Sequence, residues 1–227
     1  MKISVVGAGA ALAGPIIHRF LLGGHNVSAV YRDTAPVLDA YDKNSMNYCS
    51  YPKVDLTRKD PIPVIATGTN VLITLPGEVR NNLIGEMDLD EWRSVLENNL
   101  TSVFNVFRYW LPRMENNGNV VVVGSIVGST GGYGCANYAA AKAGLLGLVR
   151  AAANEVAARG ICVNLLELGY VNAGMGARLD AKVRDKVVQG IPLKRFAEVE
   201  EVVDAVTYLS KVRYMTGNTV TLAGGLR

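Results

Sequence analysis

The feature that most constrains the fold of this chain is an alternation of short, continuously apolar runs with segments of helical periodicity. Residues 2–6 and 26–31 form two such runs, and between them apolar side chains recur at helical spacing up to a Gly-Gly stop. Further runs are separated by helical segments and comprise residues 70–75, 119–125, 161–168 and 218–223. Apolar strands that alternate with helices indicate a parallel sheet with helices on both faces.

The organisation of the chain predicts one domain over residues 1–227, since no repeat, low-complexity tract or convincing linker interrupts the pattern. The weakest part lies between the second and third apolar runs. There, residues 33–44 could form a short helix, whereas Pro61 and Pro63 limit residues 57–69 to a turn or two. One flank of the sheet is therefore expected to be thinly covered.

The composition excludes several classes of protein. A net charge of +3 with dispersed positive residues argues against a nucleic-acid partner. No apolar stretch reaches the roughly 18 residues of a membrane span. Cys49, Cys135 and Cys162 form no C-x-x-C pair, which favours a reducing, cytoplasmic setting. His18 and His25 are the only histidines, so neither a Ser-His-Asp triad nor a metal site is expected.

A glycine-rich turn follows the first apolar run in the segment VVGAGAALAG. Glycines at such a turn let the backbone approach a pyrophosphate at a helix N-terminus. Gly7, Gly9 and Gly14 depart from the G-x-G-x-x-G spacing, because Leu12 stands at the third glycine position. The turn therefore indicates either dinucleotide binding or tight packing alone.

The second run ends in VYRD, where nucleotide-binding folds contact the adenine-side ribose. An acid there bonds the 2′-hydroxyl of NAD, whereas an arginine suits the 2′-phosphate of NADP. Arg32 favours NADP, and Asp33 directly after it leaves NAD possible.

Tyr138 and Lys142 stand four residues apart in a nearly uncharged stretch. If a helix begins near Asn137, both side chains lie on one face. A nearby ammonium favours the phenolate, so Lys142 is expected to lower the pKa of Tyr138 towards the range useful for proton transfer. Ser125 ends the preceding strand at the edge where α/β sheets bind ligands. The alternative is a tyrosine with satisfied hydrogen bonds and a solvent-facing lysine.

The stretch from Gly124 to Gly169 closely resembles the short-chain dehydrogenase/reductase family, especially its 3-oxoacyl-acyl-carrier-protein reductases. The resemblance extends over about residues 70–227 through EWRSVLENNLTSVFNVFRYWLPRM, IPLKRFAEVEEVVDAVTYLS and YMTGNTVTLAGGLR. It implies a Rossmann-type doubly wound sheet of about seven strands. It also implies reversible hydride transfer between a nicotinamide nucleotide and a carbonyl or alcohol.

The resemblance assigns a role to each of four residues. Tyr138 matches the general acid that protonates the carbonyl oxygen, and Ser125 matches the serine that hydrogen-bonds this oxygen. Lys142 matches the lysine that lowers the tyrosine pKa and holds the nicotinamide ribose. Asn99 matches the asparagine that completes a proton relay through water.

The resemblance also implies a set of cofactor contacts. Asp55 would lie near the adenine, and the backbone of Val171 would meet the carboxamide. The full set comprises Gly7, Gly9, Ala11, Leu12, Arg32, Asp55, Leu56, Leu75, Pro76, Gly77, Tyr138, Lys142, Gly169 and Val171.

The cofactor half of the sequence departs from the family pattern. In G-x-x-x-G-x-G, alanines replace the second and third glycines, at Ala11 and Ala13, and in the atypical G-x-x-G-x-x-G they fall at Ala10 and Ala13. This chain has TLPG where the family usually has N-N-A-G, and Leu168–Gly169 where the family has a proline-glycine pair. Ala173 replaces a threonine that the family has further downstream. Two hypotheses are compatible with this pattern: an active NADP-dependent carbonyl reductase, or a non-catalytic nucleotide sensor or partner subunit.

The resemblance further implies a mobile lid and an oligomer. Residues 172–196 should cover a small-molecule carbonyl substrate, whose identity the mixed composition of the lid does not reveal. Relatives pair through helices at residues 89–114 and 137–158, so a homodimer or homotetramer is expected.

Overall fold

The computed structural model describes residues 1–38, 44–51, 54–57 and 67–227. Seven parallel strands form one sheet in the order β3-β2-β1-β4-β5-β6-β7. The strands are β1 (Lys2–Val6), β2 (Asn26–Val30), β3 (Tyr48–Tyr51), β4 (Thr69–Thr74), β5 (Met114–Ser125), β6 (Cys162–Leu168) and β7 (Thr219–Leu222). The predicted Rossmann-type α/β fold is confirmed.

The helices pack on both faces of this sheet. They are α1 (Ala13–Leu22), α2 (Leu89–Leu96), α3 (Ser102–Trp110), α4 (Val127–Thr130), α5 (Ala136–Val156), α6 (Gly174–Ala177), α7 (Ala181–Gly190) and α8 (Val199–Leu209). No helix in the described ranges is both long and apolar enough to cross a membrane.

Each face of the sheet has its own hydrophobic core. On one face, α1 and α8 contribute Ile16, Phe20 and Val206, which pack against strand residues such as Val5. On the other face, α3 and α5 pack around Trp110 and their neighbouring apolar side chains. Because every central strand is covered on both sides, its sequence reads as continuously apolar.

The order of the strands positions the site. β1 pairs with β2 on one side and with β4 on the other. The strands β1 to β3 therefore extend the sheet in one direction from β1, and the strands β4 to β7 extend it in the opposite direction. Such a reversal opens a crevice at the carboxyl ends of the strands, where ligands bind in doubly wound sheets. Thr74 and Ser125 end β4 and β5 at this same edge.

Two local expectations changed in the structure. Residues 33–38 contain no helix, and the rest of that predicted segment lies largely outside the described residues, as do Pro61 and Pro63. The D-x-x-E spacing of Asp88 and Glu91 predicts a capping box at the start of a long helix, and the structure has this capping box at the start of α2. However, a π-helical turn at Glu97–Thr101 divides the predicted helix into α2 and α3.

Candidate active site

Helix α5 places Tyr138 and Lys142 together, as predicted. The helix begins at Ala136, and both side chains are buried, with 8% and 2% of their surface exposed. Ser125, at the end of β5, lies close enough to the Tyr138 hydroxyl to lower its pKa. The Lys142 Nζ lies 5.3 Å from the centroid of the Tyr138 ring. The alternative of a solvent-facing lysine is therefore wrong.

The segment that comes after β4 connects this pair to Asn99. Lys142 Nζ donates to the Pro76 carbonyl at 2.7 Å. Glu78 lies two residues after Pro76, and its backbone is bonded to Asn99. The Asn99 Nδ2 donates to the Glu78 carbonyl at 2.8 Å, and the Asn99 Oδ1 accepts from the Glu78 N–H at 3.3 Å. Pro76 to Glu78 is thus held by two of the predicted catalytic residues, and the four predicted residues are grouped at one edge of the sheet.

Asn99 owes its orientation to the π-helical turn. There the Ser102 N–H donates to the carbonyl of Glu97, five residues earlier, instead of four. Asn99 is fully buried, and its Nδ2 also donates to the carbonyl of Val95 at 2.9 Å. Turns of this kind occur often at functional sites. The sequence offered no periodic signal for this turn.

The expected effect of Lys142 on Tyr138 is not found. Burial raises the pKa of Tyr138 above its ordinary value, and the neighbouring Ser125 hydroxyl opposes this rise only in part. Burial also lowers the pKa of Lys142 to about 7. Lys142 therefore loses its proton at a lower pH than Tyr138 does, so its ammonium does not lower the pKa of this phenol. The phenol is held as a proton donor at neutral pH.

A cleft of about 480 Å³ opens beside these residues. Many predicted cofactor contacts line it: Gly7, Gly9, Arg32, Asp55, Leu56, Leu75, Pro76 and Gly77. Sequence reasoning missed several further lining residues, namely Thr74, Glu78, Arg80, Asn98 and Ser102. Glu78 and Arg80 stand just after TLPG, and this position was the one signal that could have identified them.

The cleft fits a nucleotide in two respects. The Thr74 hydroxyl lines the cleft, is buried, and has no hydrogen-bond partner within the described part of the protein. A buried hydroxyl without a partner is costly, so a ligand or water is expected to satisfy it. Asp55 Oδ1 accepts from the Thr57 N–H at 3.0 Å, which fixes this carboxylate at the wall of the cleft.

The remaining predicted contacts have structural partners. A Cβ built on Gly174 at the start of α6 would lie 3.4 Å from the Cβ of Ala11, so the lid segment meets the glycine-rich turn. Val171 pairs with Ala197 through a parallel bridge. Leu12 packs against the core, and a Cβ on Gly169 would lie 2.8 Å from Cα of Ala223. Six predicted cofactor contacts therefore lie outside the lining of the cleft: Ala11, Leu12, Tyr138, Lys142, Gly169 and Val171.

The glycines of the turn are required by the chain itself. Gly7 has φ +78°, and a Cβ there would lie 2.6 Å from the carbonyl oxygen of Leu75. A Cβ on Gly9 would lie 2.7 Å from the carbonyl oxygen of Thr34. A Cβ on Gly14 would overlap the carbonyl oxygen of Val37. Tight packing therefore explains all three, whether or not a nucleotide also uses the turn.

We expect Gly7→Ala to lower the free energy of unfolding by about 2–4 kcal/mol, because the new methyl group adds strain at positive φ to a clash with backbone. Gly77→Ala is the matched control, since nothing lies within 4 Å of a Cβ at that position of the cleft wall. Urea unfolding of both variants checks the difference. Equal stability of the two variants would contradict the packing role of Gly7.

Comparisons with known proteins match this geometry. The family model described as Enoyl-(Acyl carrier protein) reductase matches residues 67–227. The 3-oxoacyl-[acyl-carrier-protein] reductase FabG of Staphylococcus epidermidis is 38% identical over 161 residues, or 69% of this chain. The match spans 66% of the length of that enzyme, just under two thirds.

Two solved structures share the whole fold. A variant of a short-chain dehydrogenase/reductase from Serratia marcescens has a TM-score of 0.87 at 21% identity and covers 99% of this chain and 96% of its own. An apo short-chain oxidoreductase from Pseudomonas aeruginosa, described as containing an atypical catalytic centre, has a TM-score of 0.84 at 21% identity, with coverages of 100% and 97%. Since the family model matches most of the sequence and the active-site residues of the resemblance are grouped in the structure, the chain belongs to the short-chain dehydrogenase/reductase family.

Proposed function

We propose that this protein is an NAD(P)H-dependent oxidoreductase that reduces a carbonyl group to an alcohol. The observation that carries the proposal is the buried Tyr138, next to the Ser125 hydroxyl and the Lys142 amine, beside a cleft at the carboxyl edge of the sheet. A protonated phenol next to a hydroxyl is suited to bind and protonate a carbonyl oxygen.

Each residue of the site has a task in this reaction. When bound, the nicotinamide nucleotide supplies the hydride that the carbonyl carbon receives. Tyr138 gives its phenolic proton to the carbonyl oxygen, and Ser125 donates a hydrogen bond to the same oxygen. Lys142 carries a proton that can return to the phenolate. Asn99 holds the backbone of Glu78 and completes a relay to water.

The nucleotide would occupy the cleft beneath the glycine-rich turn. Gly7, Gly9 and the N-terminus of α1 would face the pyrophosphate, and Asp55 would stand near the adenine. Arg32, directly after β2, supports NADPH as the preferred nucleotide, with NADH as the other.

One observation favours a second candidate, a non-catalytic nucleotide sensor or partner subunit. Because the chain's own packing requires Gly7, Gly9 and Gly14, their presence is weaker support for a pyrophosphate site than the motif alone suggested. The reductase and the sensor both require nucleotide binding and differ in turnover, whereas a partner subunit requires neither.

The substrate class we favour is a ketone or 3-oxoacyl thioester, in line with the name of the Staphylococcus epidermidis relative. We further propose a homodimer or homotetramer that associates through residues 89–114 and 137–158. The outer face of α5 exposes small side chains that allow close helix contact, namely Ala140, Ala143, Gly147 and Ala151.

Calorimetric titration with NADPH and NADH tests the proposal. We expect micromolar binding of at least one nucleotide, followed by oxidation of NADPH with one member of a panel of ketones and 3-oxoacyl thioesters. Binding without turnover on the whole panel would favour the sensor. Absence of binding at millimolar concentration would contradict the reductase and the sensor, and would favour the partner subunit.

A further inference from the structure

Glu167 is a buried acid at a position where the pattern of β6 predicts an apolar residue. Side chains two residues apart lie on one face of a strand, and Val163 and Leu165 both belong to the core formed with α3 and α5. Glu167 follows on the same face, and only 4% of its surface is exposed. A buried carboxyl group is costly unless it is hydrogen-bonded, so its partners indicate what this acid does.

The partners of Glu167 in the described part of the chain are two hydroxyl groups. The Ser129 hydroxyl donates to Oε1 at 2.7 Å, and the Thr221 hydroxyl donates to Oε2 at 3.5 Å. The first distance is that of a well-formed bond between two oxygens, whereas the second is beyond that range. Glu167 is therefore bonded mainly to Ser129, which lies in the short helix α4.

Helix α4 also orients the hydroxyl of Ser125. The chain enters this helix just after Ser125, and the Ser125 Oγ accepts from the Val127 N–H at 3.3 Å. A hydroxyl that accepts from a backbone amide keeps its own hydrogen to donate, here to the carbonyl oxygen of a substrate. The direction of that hydrogen therefore depends on where α4 lies.

Two further contacts of this segment set the position of α4. A Cβ built on Gly128 would lie 2.8 Å from the backbone nitrogen of Ala143, so α4 packs closely against α5. At the start of α4, the Ile126 N–H donates to the Leu168 carbonyl of β6 at 2.9 Å. The bond from Ser129 to Glu167 adds a second link between α4 and β6, nearer the other end of the helix.

We propose that Glu167 is a positioning residue for Ser125. The inference rests on the proposed function, since it assumes that Ser125 bonds the substrate oxygen. By accepting from Ser129, the carboxyl group fixes α4 against β6, and the fixed helix keeps the Val127 N–H on Ser125 Oγ. Without this link α4 can shift, and a small displacement of a group that contacts the reacting atoms slows a reaction.

A double-mutant cycle separates this role from general stabilisation of the fold. Glu167→Ala is expected to lower kcat about tenfold, while nucleotide affinity changes less than about twofold. In a Ser125→Ala background the same substitution should change kcat less than about twofold, because the hydroxyl that Glu167 positions is already absent. Glu167→Gln keeps an oxygen that accepts from Ser129, so it should retain at least about half of wild-type kcat.

Amide hydrogen exchange at Val127, measured by NMR, tests the link to α4 without turnover. Glu167→Ala should accelerate this exchange at least about fivefold by local opening, and Glu167→Gln should leave it unchanged. Asn164→Ala is the matched control, because Asn164 is buried on the same strand and donates to the Met215 carbonyl at 2.7 Å. Its loss should destabilise the fold but leave kcat and the exchange at Val127 unchanged.

The outcomes distinguish this inference from the proposed function. An unchanged kcat or Val127 exchange rate in Glu167→Ala, or an equal loss of kcat with and without the Ser125 hydroxyl, would overturn the positioning role. Full activity of Ser125→Ala, or absence of wild-type turnover on the whole substrate panel, would instead contradict the proposed function, even if the exchange rates show that Glu167 holds α4.

Discussion

Replacement of Tyr138 by phenylalanine is expected to reduce kcat by about a thousandfold, while nucleotide affinity changes less than about twofold. The variant keeps the ring and loses the phenolic proton, while the neighbouring Ser125 hydroxyl stays in place. Because burial raises the pKa of Tyr138, the wild-type phenol stays protonated at neutral pH, so its proton is what the substitution removes. Stopped-flow reduction of the best substrate, together with nucleotide titration, checks both values.

Tyr133→Phe serves as the control for this experiment. Tyr133 lies five residues earlier and is 91% exposed, so loss of its hydroxyl should leave kcat unchanged. A Tyr138→Phe enzyme that retains more than about a tenth of wild-type kcat would exclude the phenol as the main proton donor.

Replacement of Lys142 by methionine is expected to abolish turnover and to stabilise the nucleotide-free protein. The ammonium is buried, its one described hydrogen bond is to the Pro76 carbonyl, and no carboxylate of the described residues pairs with it. Burial therefore lowers the pKa of Lys142 from 10.5 to about 7. Removal of such a charge by an apolar side chain of similar size should raise the free energy of unfolding by about 1–4 kcal/mol at pH 6.

The pH dependence of this gain results from the lowered pKa of Lys142. Between about pH 7 and 10.5 the unfolded chain binds more protons at this lysine than the folded protein, so wild-type stability rises with pH. Below pH 7 Lys142 is charged in both the folded and the unfolded state, so burial of the ammonium destabilises the wild-type protein to its full extent. The advantage of Lys142→Met should thus be largest at pH 6 and should disappear towards pH 10.5.

Urea unfolding of the nucleotide-free proteins at several pH values measures this trend, with the exposed Lys182→Met as control. A Lys142→Met protein that is less stable than wild type at every pH would mean that the bond to Pro76 contributes more than burial of the amine costs. That result would also weaken the case that the amine is retained for catalysis.

The main sheet could be predicted because its central strands are buried on both faces, which forces a continuously apolar sequence. β3 could not be predicted in this way, since Tyr48–Tyr51 lies at the edge of the sheet and its middle residues are exposed. A short helix was expected in residues 33–44, and its described part, residues 33–38, is not helical because the backbone there packs against Gly9 and Gly14. That contact depends on tertiary structure and leaves no local pattern.

The grouping of Ser125, Tyr138 and Lys142 was predictable from spacing and resemblance, whereas their electrostatics were not. Spacing placed an ammonium beside a phenol, but the pKa of each group depends on how completely water is excluded. Burial affects both groups in opposite directions, and only the packed structure reveals its extent. The roles of Glu78 and Asn98 were likewise hidden, because the cleft brings together residues from separate elements.

The π-helical turn at Glu97–Thr101 has a consequence for how this region can vary in length. One surplus residue in a turn rotates everything after it by about 100° relative to an uninterrupted α-helix. Deletion of a single residue there would restore regular geometry and leave α3 in its present orientation against the sheet, yet it would swing the Asn99 amide away from Glu78. Single-residue insertions and deletions should therefore be excluded from this stretch among working relatives, even though ordinary helical geometry is the easier arrangement for the backbone.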